Sequence, residues 1–184
     1  MSASGHKIHA PKGVGFLYAR NKDLLRPVIF GGSQEDGLRG GTHNTPYIVG
    51  MGRAAEIANE KYIRNIYSYG MKISAIKCRI LSEISDVYVN GMPYDNSRTI
   101  NLRFNGVDGE TLLLLLDSKG VEVSAGSACS AHYATPSHVL SALGLTDDEA
   151  RSSIRISISK YNTNEEIEEA IQAIVDSVKQ LRGG

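Results

Sequence analysis

The 184-residue chain balances 20 Lys and Arg against 20 Asp and Glu, so it carries no net field of the kind that gathers nucleic acid or an anionic membrane. Apolar residues make up 41% and charged residues 22%, ordinary globular usage that excludes a disordered or fibrous chain. No run approaches the roughly 18 apolar residues that span a bilayer, and Met1-Ser2-Ala3-Ser4-Gly5 is followed by no apolar stretch that would make a secretory leader, which points to the cytoplasm.

Residues 1–46 are rich in glycine, with Gly5, Gly13, Gly15, Gly31, Gly32, Gly37, Gly40 and Gly41 among short apolar pieces such as Val14-Gly15-Phe16-Leu17-Tyr18. The pattern predicts one or two strands with backbone-rich loops and no self-sufficient core. From Pro46 the period changes. Met51, Ala55, Ala58, Tyr62, Ile66, Tyr69, Ile73, Ile76, Ile80 and Ile84 alternate steps of three and four, predicting one long amphipathic helix over 47–84, bent at Gly70, with Pro46 in its first turn.

Val87-Tyr88-Val89 and Thr99–Phe104 read as strands, the second alternating apolar and polar residues. Asp108 is placed to cap a helix through the leucine run 112–116, which reads as buried and ends at Gly120; a strand is expected at Val121–Val123. Thr135-Pro136 opens a short helix closed by Gly144, and Thr146 with Glu149 forms a capping-box pattern. Ser153–Ser159 alternates strictly, which puts Ile154, Ile156 and Ile158 on one face and Arg155 on the other. Thr163 with Glu166 starts a last helix whose stripe is Ile167, Ile171, Ile174, Val175 and Val178. The fold class is therefore α/β: residues 85–184 form a small module, a sheet of three or four strands flanked by helices.

Three segments could carry chemistry. In Ser4-Gly5-His6-Lys7, a lysine beside a histidine and a glycine is, taken alone, most often a polar loop. In Ser124–His132, small residues give Cys129 exposure and access, as a reactive thiol needs, although a free cysteine can equally be a small buried hydrophobe. Cys78, by contrast, is expected on the packed side of the long helix. Arg155, held on a strand between serines, can offer a rigid fork to a carboxylate or be merely solvated. No clustered His, Cys, Asp and Glu spacing suggests a metal site.

Together these segments resemble the cysteine desulfurases of the NifS and IscS kind, within the class-V aminotransferase group of fold-type I pyridoxal-phosphate (PLP) enzymes. The matching motifs are Ser2–Lys7, Pro11-Lys12-Gly13-Val14-Gly15, Gly31–Glu35, Gly37–Thr42, Asn44-Thr45-Pro46, Ser127-Ala128-Cys129, Pro136–Leu140 and Ser153–Ser157, in the family's order and covering nearly the whole chain. The resemblance implies that Lys7 binds PLP covalently, that Ser4 and His6 hold its phosphate, and that Thr42 reaches the phosphate of the neighbouring subunit of a homodimer. It implies further that Arg155 holds the carboxylate of L-cysteine, and that Cys129 takes its sulfur as a persulfide and passes it to an acceptor such as an iron–sulfur scaffold protein.

The same resemblance makes 1–46 a fragment of the large PLP-binding domain, 47–84 a connecting helix and 85–184 the small domain with the catalytic cysteine. Family residues that stack on and pair with the PLP ring precede the lysine motif. The expectation is therefore a C-terminal half in which PLP can be absent and activity is weak without a companion. Two other readings share these residues: a class-V aminotransferase or lyase that needs no mobile thiol, and a non-catalytic module that dimerises or binds a partner.

Overall fold

The computed structural model describes residues 1–60, 62–91, 98–125 and 136–183. The chain divides into two compact units, Met1–Tyr62 and Ile63–Gly184.

In the first unit, β1 (Ser2–Ser4) pairs antiparallel with β2 (Gly15–Leu17), and reciprocal bonds between Met1 and Tyr18 extend the ladder by one step. Short turns follow, and then helix α1 (Thr45–Glu60), with Pro46 in its first turn as expected. Helix α2 (Tyr62–Glu83) carries Gly70 in its interior. All described residues from 47 to 83 are helical, in line with the long helix expected over 47–84, and the boundary between the two units falls within this span, at Tyr62 and Ile63.

The second unit is built on a four-stranded antiparallel sheet of order β3-β4-β6-β5, from β3 (Val87–Val89), β4 (Thr99–Phe104), β5 (Ser124–Ala125) and β6 (Ser153–Ser157). Period-two alternation assigns its two faces. Ile100, Leu102, Phe104, Ile154 and Ile156 point into one core with Ile73, Ile76 and Ile80 of α2, Leu112 and Leu116 of α3 (Gly109–Asp117), and Ile167, Ile171, Ile174, Val175 and Val178 of α6 (Asn164–Leu181). Side chains buried to this degree stabilise by about 1.5–3 kcal/mol each, which makes this face the main support of the unit.

Helix boundaries follow local chemistry. The Asp108 carboxylate accepts from the Thr111 amide at 2.8 Å and caps α3. Thr146 and Thr163 form full capping boxes with Glu149 and Glu166 at the starts of α5 (Asp147–Arg151) and α6. At the end of α3, the Val121 amide reaches back to the Leu116 carbonyl, a closure that requires the left-handed φ of 77° at Gly120.

Three expectations need correction. The strand after α3 pairs at Ser124–Ala125, not at Val121–Val123, because the helix closure consumes the residues just before it. The leucine run is buried only along one stripe: Leu112 and Leu116 are inside while Leu114, half a turn away, is exposed. Cys78 is exposed, since the buried face of α2 runs through Ile73, Ile76 and Ile80. The short helix expected from Thr135-Pro136 is α4 (His138–Ala142), with Ser137 as its cap residue. Among the described residues, no helix is long and apolar enough to cross a membrane.

Candidate active site

The lysine motif lies between β1 and β2. Gly5–Ile8 forms a single 3₁₀ turn, fastened by the Gly5 amide on the Val14 carbonyl at 2.8 Å and by the Ala10 amide on the Gly5 carbonyl at 3.1 Å. A Cβ on Gly5 would fall 2.9 Å from Val14 Cγ1 and 3.0 Å from the Val14 carbonyl oxygen, so only glycine lets the turn seat this closely. The Ser4 hydroxyl and His6 Nδ1 share a 2.9 Å hydrogen bond, and Lys7 follows on the exposed side of the turn. A hydroxyl, an imidazole and an amine thus emerge within four residues. That donor set suits a phosphate group and an electrophilic carbonyl, the two groups that PLP carries on neighbouring ring carbons.

Thr42 is exposed, on a different loop of the same unit. The loop is returned on itself by the Gly40 amide, which donates to the Ile29 carbonyl at 3.0 Å. Glu35 and Asp36 both adopt left-handed backbone, with φ of 53° and 56°, conformations that non-glycine residues hold only when neighbours enforce them. Here Lys22 pairs with Asp36, and His43 Nε2 meets Glu35 Oε1 at 3.0 Å. The hydrogen bond from Lys22 holds the Asp36 carboxyl below the usual carboxylate range.

Arg155 lies on the polar face of the sheet, where β6 places it between Asn101 of β4 and Ser124 of β5 in cross-strand register. Its Nη2 donates to the Ser124 hydroxyl at 3.1 Å. Around it the face is tightly bonded. Asn90 Nδ2 donates to Asn101 Oδ1 at 2.7 Å and to the Ser153 hydroxyl at 2.9 Å, and the Ser153 hydroxyl donates to the Glu149 carbonyl at 2.7 Å.

The two arginines of this face differ in partner. Arg103 is neutralised by Glu149 and stacks over the Tyr88 ring at 4.4 Å. The Glu149 carboxyl is held below its ordinary range first by the Thr146 amide and then by the Thr146 hydroxyl and Arg103. Arg155 bonds to a neutral hydroxyl, and among the described residues no carboxylate is paired with it. That described contact, unlike the Arg103–Glu149 pair, brings no opposite charge to the guanidinium.

Ser4 and His6 share a hydrogen bond, and Arg155 takes the face that the alternation assigned to it. Cys129 lies outside the described residues, as do Ser127, Ala128 and His132. Ser124 was not singled out in the sequence. Its signal was faint: a serine at the head of the small-residue run before Cys129, with no indication of which strand it would face. Among the described residues, no group of three metal-ligating side chains is clustered.

Comparison with known proteins identifies relatives of this chain. Cysteine desulfurase IscS of Actinobacillus succinogenes is 42% identical over 188 residues, 99% of this chain and 45% of the relative. Cysteine desulfurase IscS 1 of Archaeoglobus fulgidus is 37% identical over 186 residues, again 99% of this chain and 48% of the relative. A solved NifS-like protein superposes with a TM-score of 0.81 at 35% identity, over 95% of this chain and 45% of its own. The chain thus spans about half the length of the curated relatives it matches. The family profile Aminotransferase class-V matches residues 1–170, and with it the chain belongs to the class-V aminotransferase family.

Proposed function

We propose that this chain carries the lysine, the substrate arginine and the sulfur-accepting cysteine of a cysteine desulfurase. The reaction is L-cysteine plus the Cys129 thiol to L-alanine plus a Cys129 persulfide. The carbon–sulfur bond of the substrate breaks, a sulfur–sulfur bond forms at Cys129, and the carbon left behind takes a proton. The observation that carries this reading is the fastened turn in which Ser4 and His6 are hydrogen-bonded beside an exposed Lys7, in a chain whose relatives bear that name.

The class-V aminotransferase family is PLP-dependent, and PLP when bound supplies the electron sink for the substrate carbon. The chain's own residues do the rest. Ser4 and His6 donate to the phosphate, with Thr42 reaching the phosphate of a second subunit in a homodimer. The Lys7 amine anchors PLP, then holds and returns a proton at the substrate carbon. Arg155 fixes the substrate carboxylate, which orients the sulfur toward Cys129. In this reading residues 85–184 act as the small domain and 1–46 as part of the PLP-binding domain. The persulfide passes to an acceptor protein such as an iron–sulfur scaffold, in the cytoplasm.

Because the chain spans about half of its relatives' length, we expect these 184 residues alone to turn over cysteine slowly and to gain activity when the remaining PLP contacts are supplied. The test incubates the protein with PLP and L-cysteine, with and without a polypeptide supplying those contacts, and measures alanine and protein-bound sulfur. Lys7→Ala and Cys129→Ser should each abolish both products. Alanine release that survives Cys129→Ser would instead identify a PLP lyase that needs no thiol. A protein that never binds PLP and only associates would be a non-catalytic module.

A further inference from the structure

Arg155 is the centre of a rung that crosses three strands. The sheet register pairs it with Asn101 on one side and with Ser124 on the other, and the Ser124 hydroxyl accepts from its Nη2 at 3.1 Å. A guanidinium has five donors in a fixed plane, so committing one nitrogen to a neighbour on the adjacent strand sets the direction in which the others point. An arginine on a strand with no such contact rotates about its terminal torsions and presents its fork in many directions, at an entropic cost when a ligand must select one.

The choice of partner matters as much as its position. A carboxylate at residue 124 would hold the guanidinium equally well and would cancel the charge that a substrate must find, as Glu149 does for Arg103. A hydroxyl orients the group and leaves its charge intact. An alanine would leave the charge intact and orient nothing.

Ser124 also occupies a particular place in the chain. It belongs to the two-residue strand β5, whose pairing among the described residues is with β6, and Cys129 follows five residues later in the sequence. We propose that Ser124 is a positioning residue for the Arg155 guanidinium, and that through this bond the start of the Cys129 segment is tied to the group that receives the substrate carboxylate. The proposal rests on the reading of Arg155 as the carboxylate site. It adds that the strand from which the chain runs on toward the thiol bonds, through its first side chain, the arginine that orients the substrate.

The test begins with nitrogen-edited NMR of the arginine side chains of the 184-residue protein, with Arg155→Lys identifying the Arg155 signals. Hindered rotation should give separate signals for the two terminal nitrogens of Arg155. These should merge in Ser124→Ala and reappear in Ser124→Thr, while the amide spectrum of β6 and α6 stays unchanged in all three proteins. Averaged signals in the unaltered protein, or signals unaffected by Ser124→Ala, would overturn the proposal without reference to catalysis.

In PLP-loaded enzyme containing this chain, Ser124→Ala should raise KM for L-cysteine about tenfold, the effect of one lost hydrogen bond to a charged group, with kcat little changed and with Ser124→Thr restoring KM. A fall in kcat at constant KM would overturn the positioning role. If Arg155→Lys leaves KM unaltered, the carboxylate reading itself fails. If Arg155→Lys raises KM and Ser124→Ala does not, only the role of Ser124 fails.

Discussion

The two units of this chain keep their shape by different means. In Ile63–Gly184, helices α2, α3 and α6 close on one face of a sheet, and most of the apolar side chains that the pattern assigns inward are buried, down to 0% exposure at Phe104. In Met1–Tyr62, Met51 is the one buried member of the apolar core among the described residues, while Val28 and Phe30 are 85% and 82% exposed. That first unit holds its form through backbone: a two-strand ladder, glycines seated against carbonyls, and left-handed residues held by ion pairs. A packed core resists deformation by volume, and a backbone cage resists it by hydrogen bonds. The Lys7 turn lies in the backbone-held unit and Arg155 on the packed sheet, so the two candidate groups draw on two kinds of rigidity.

The contrast is sharpest in a pair of aromatic substitutions. Phe104→Ala should destabilise the protein by about 3–5 kcal/mol in urea denaturation, the range for truncating a fully buried phenylalanine. Phe30→Ser should cost almost nothing and should reduce self-association measured by light scattering, because it removes exposed apolar surface. Equal destabilisation by the two would erase the distinction between the units.

A smaller effect comes from the cap of α3. The Asp108 carboxyl is held below its ordinary range first by the Thr111 hydroxyl and then by the Thr111 amide. A carboxyl whose folded value is lowered contributes stability that is complete above the unfolded value and lost as pH falls through the folded one. Denaturation curves between about pH 5 and about pH 3 should therefore fall less steeply for Asp108→Asn than for the parent, and Asp108→Ala should cost about 1 kcal/mol near neutrality.

The smallest effect belongs to Cys78. In a Cys129→Ser background a thiol reagent should label Cys78 without unfolding, and Cys78→Ser should change stability by less than about 0.5 kcal/mol.

That cysteine also shows where sequence reading succeeds and where it stops. The stripe Ile73, Ile76, Ile80 is legible from its spacing, and it already places Cys78 about 200° around the helix from Ile76, on the outer side. The error was to treat a moderately apolar residue as a member of the stripe. The caps at Asp108, Thr146 and Thr163, and the inward isoleucines of β6, were legible because each is settled within a few residues by a side chain and a nearby amide, or by a two-residue period.

The unit boundary at Tyr62 and Ile63 was not legible, because the steps of three and four run through it without interruption. Nor was the contact between Ser124 and Arg155, whose partners are 31 residues apart and meet only because the strand order is β3-β4-β6-β5. Alternation tells which face a residue occupies, and strand order tells whom it meets there. In the lysine turn, the motif named the residues, but the bond between Ser4 and His6 depends on a seating that Gly5 alone permits.

Just past α6, the Arg182 guanidinium donates to the carbonyl oxygens of Ser85 at 2.7 Å, Asp86 at 3.2 Å and Asn105 at 2.6 Å. These bonds bridge up to 97 residues of sequence, and the helix before them supplies five buried side chains to the shared core. During synthesis on the ribosome, the second unit therefore cannot close as its early strands emerge: β3 and β4 wait, with apolar faces open, until α6 and Arg182 have left the exit tunnel. Over that interval the open apolar faces favour association with other chains, so the exposure to aggregation grows with the time they stay uncovered.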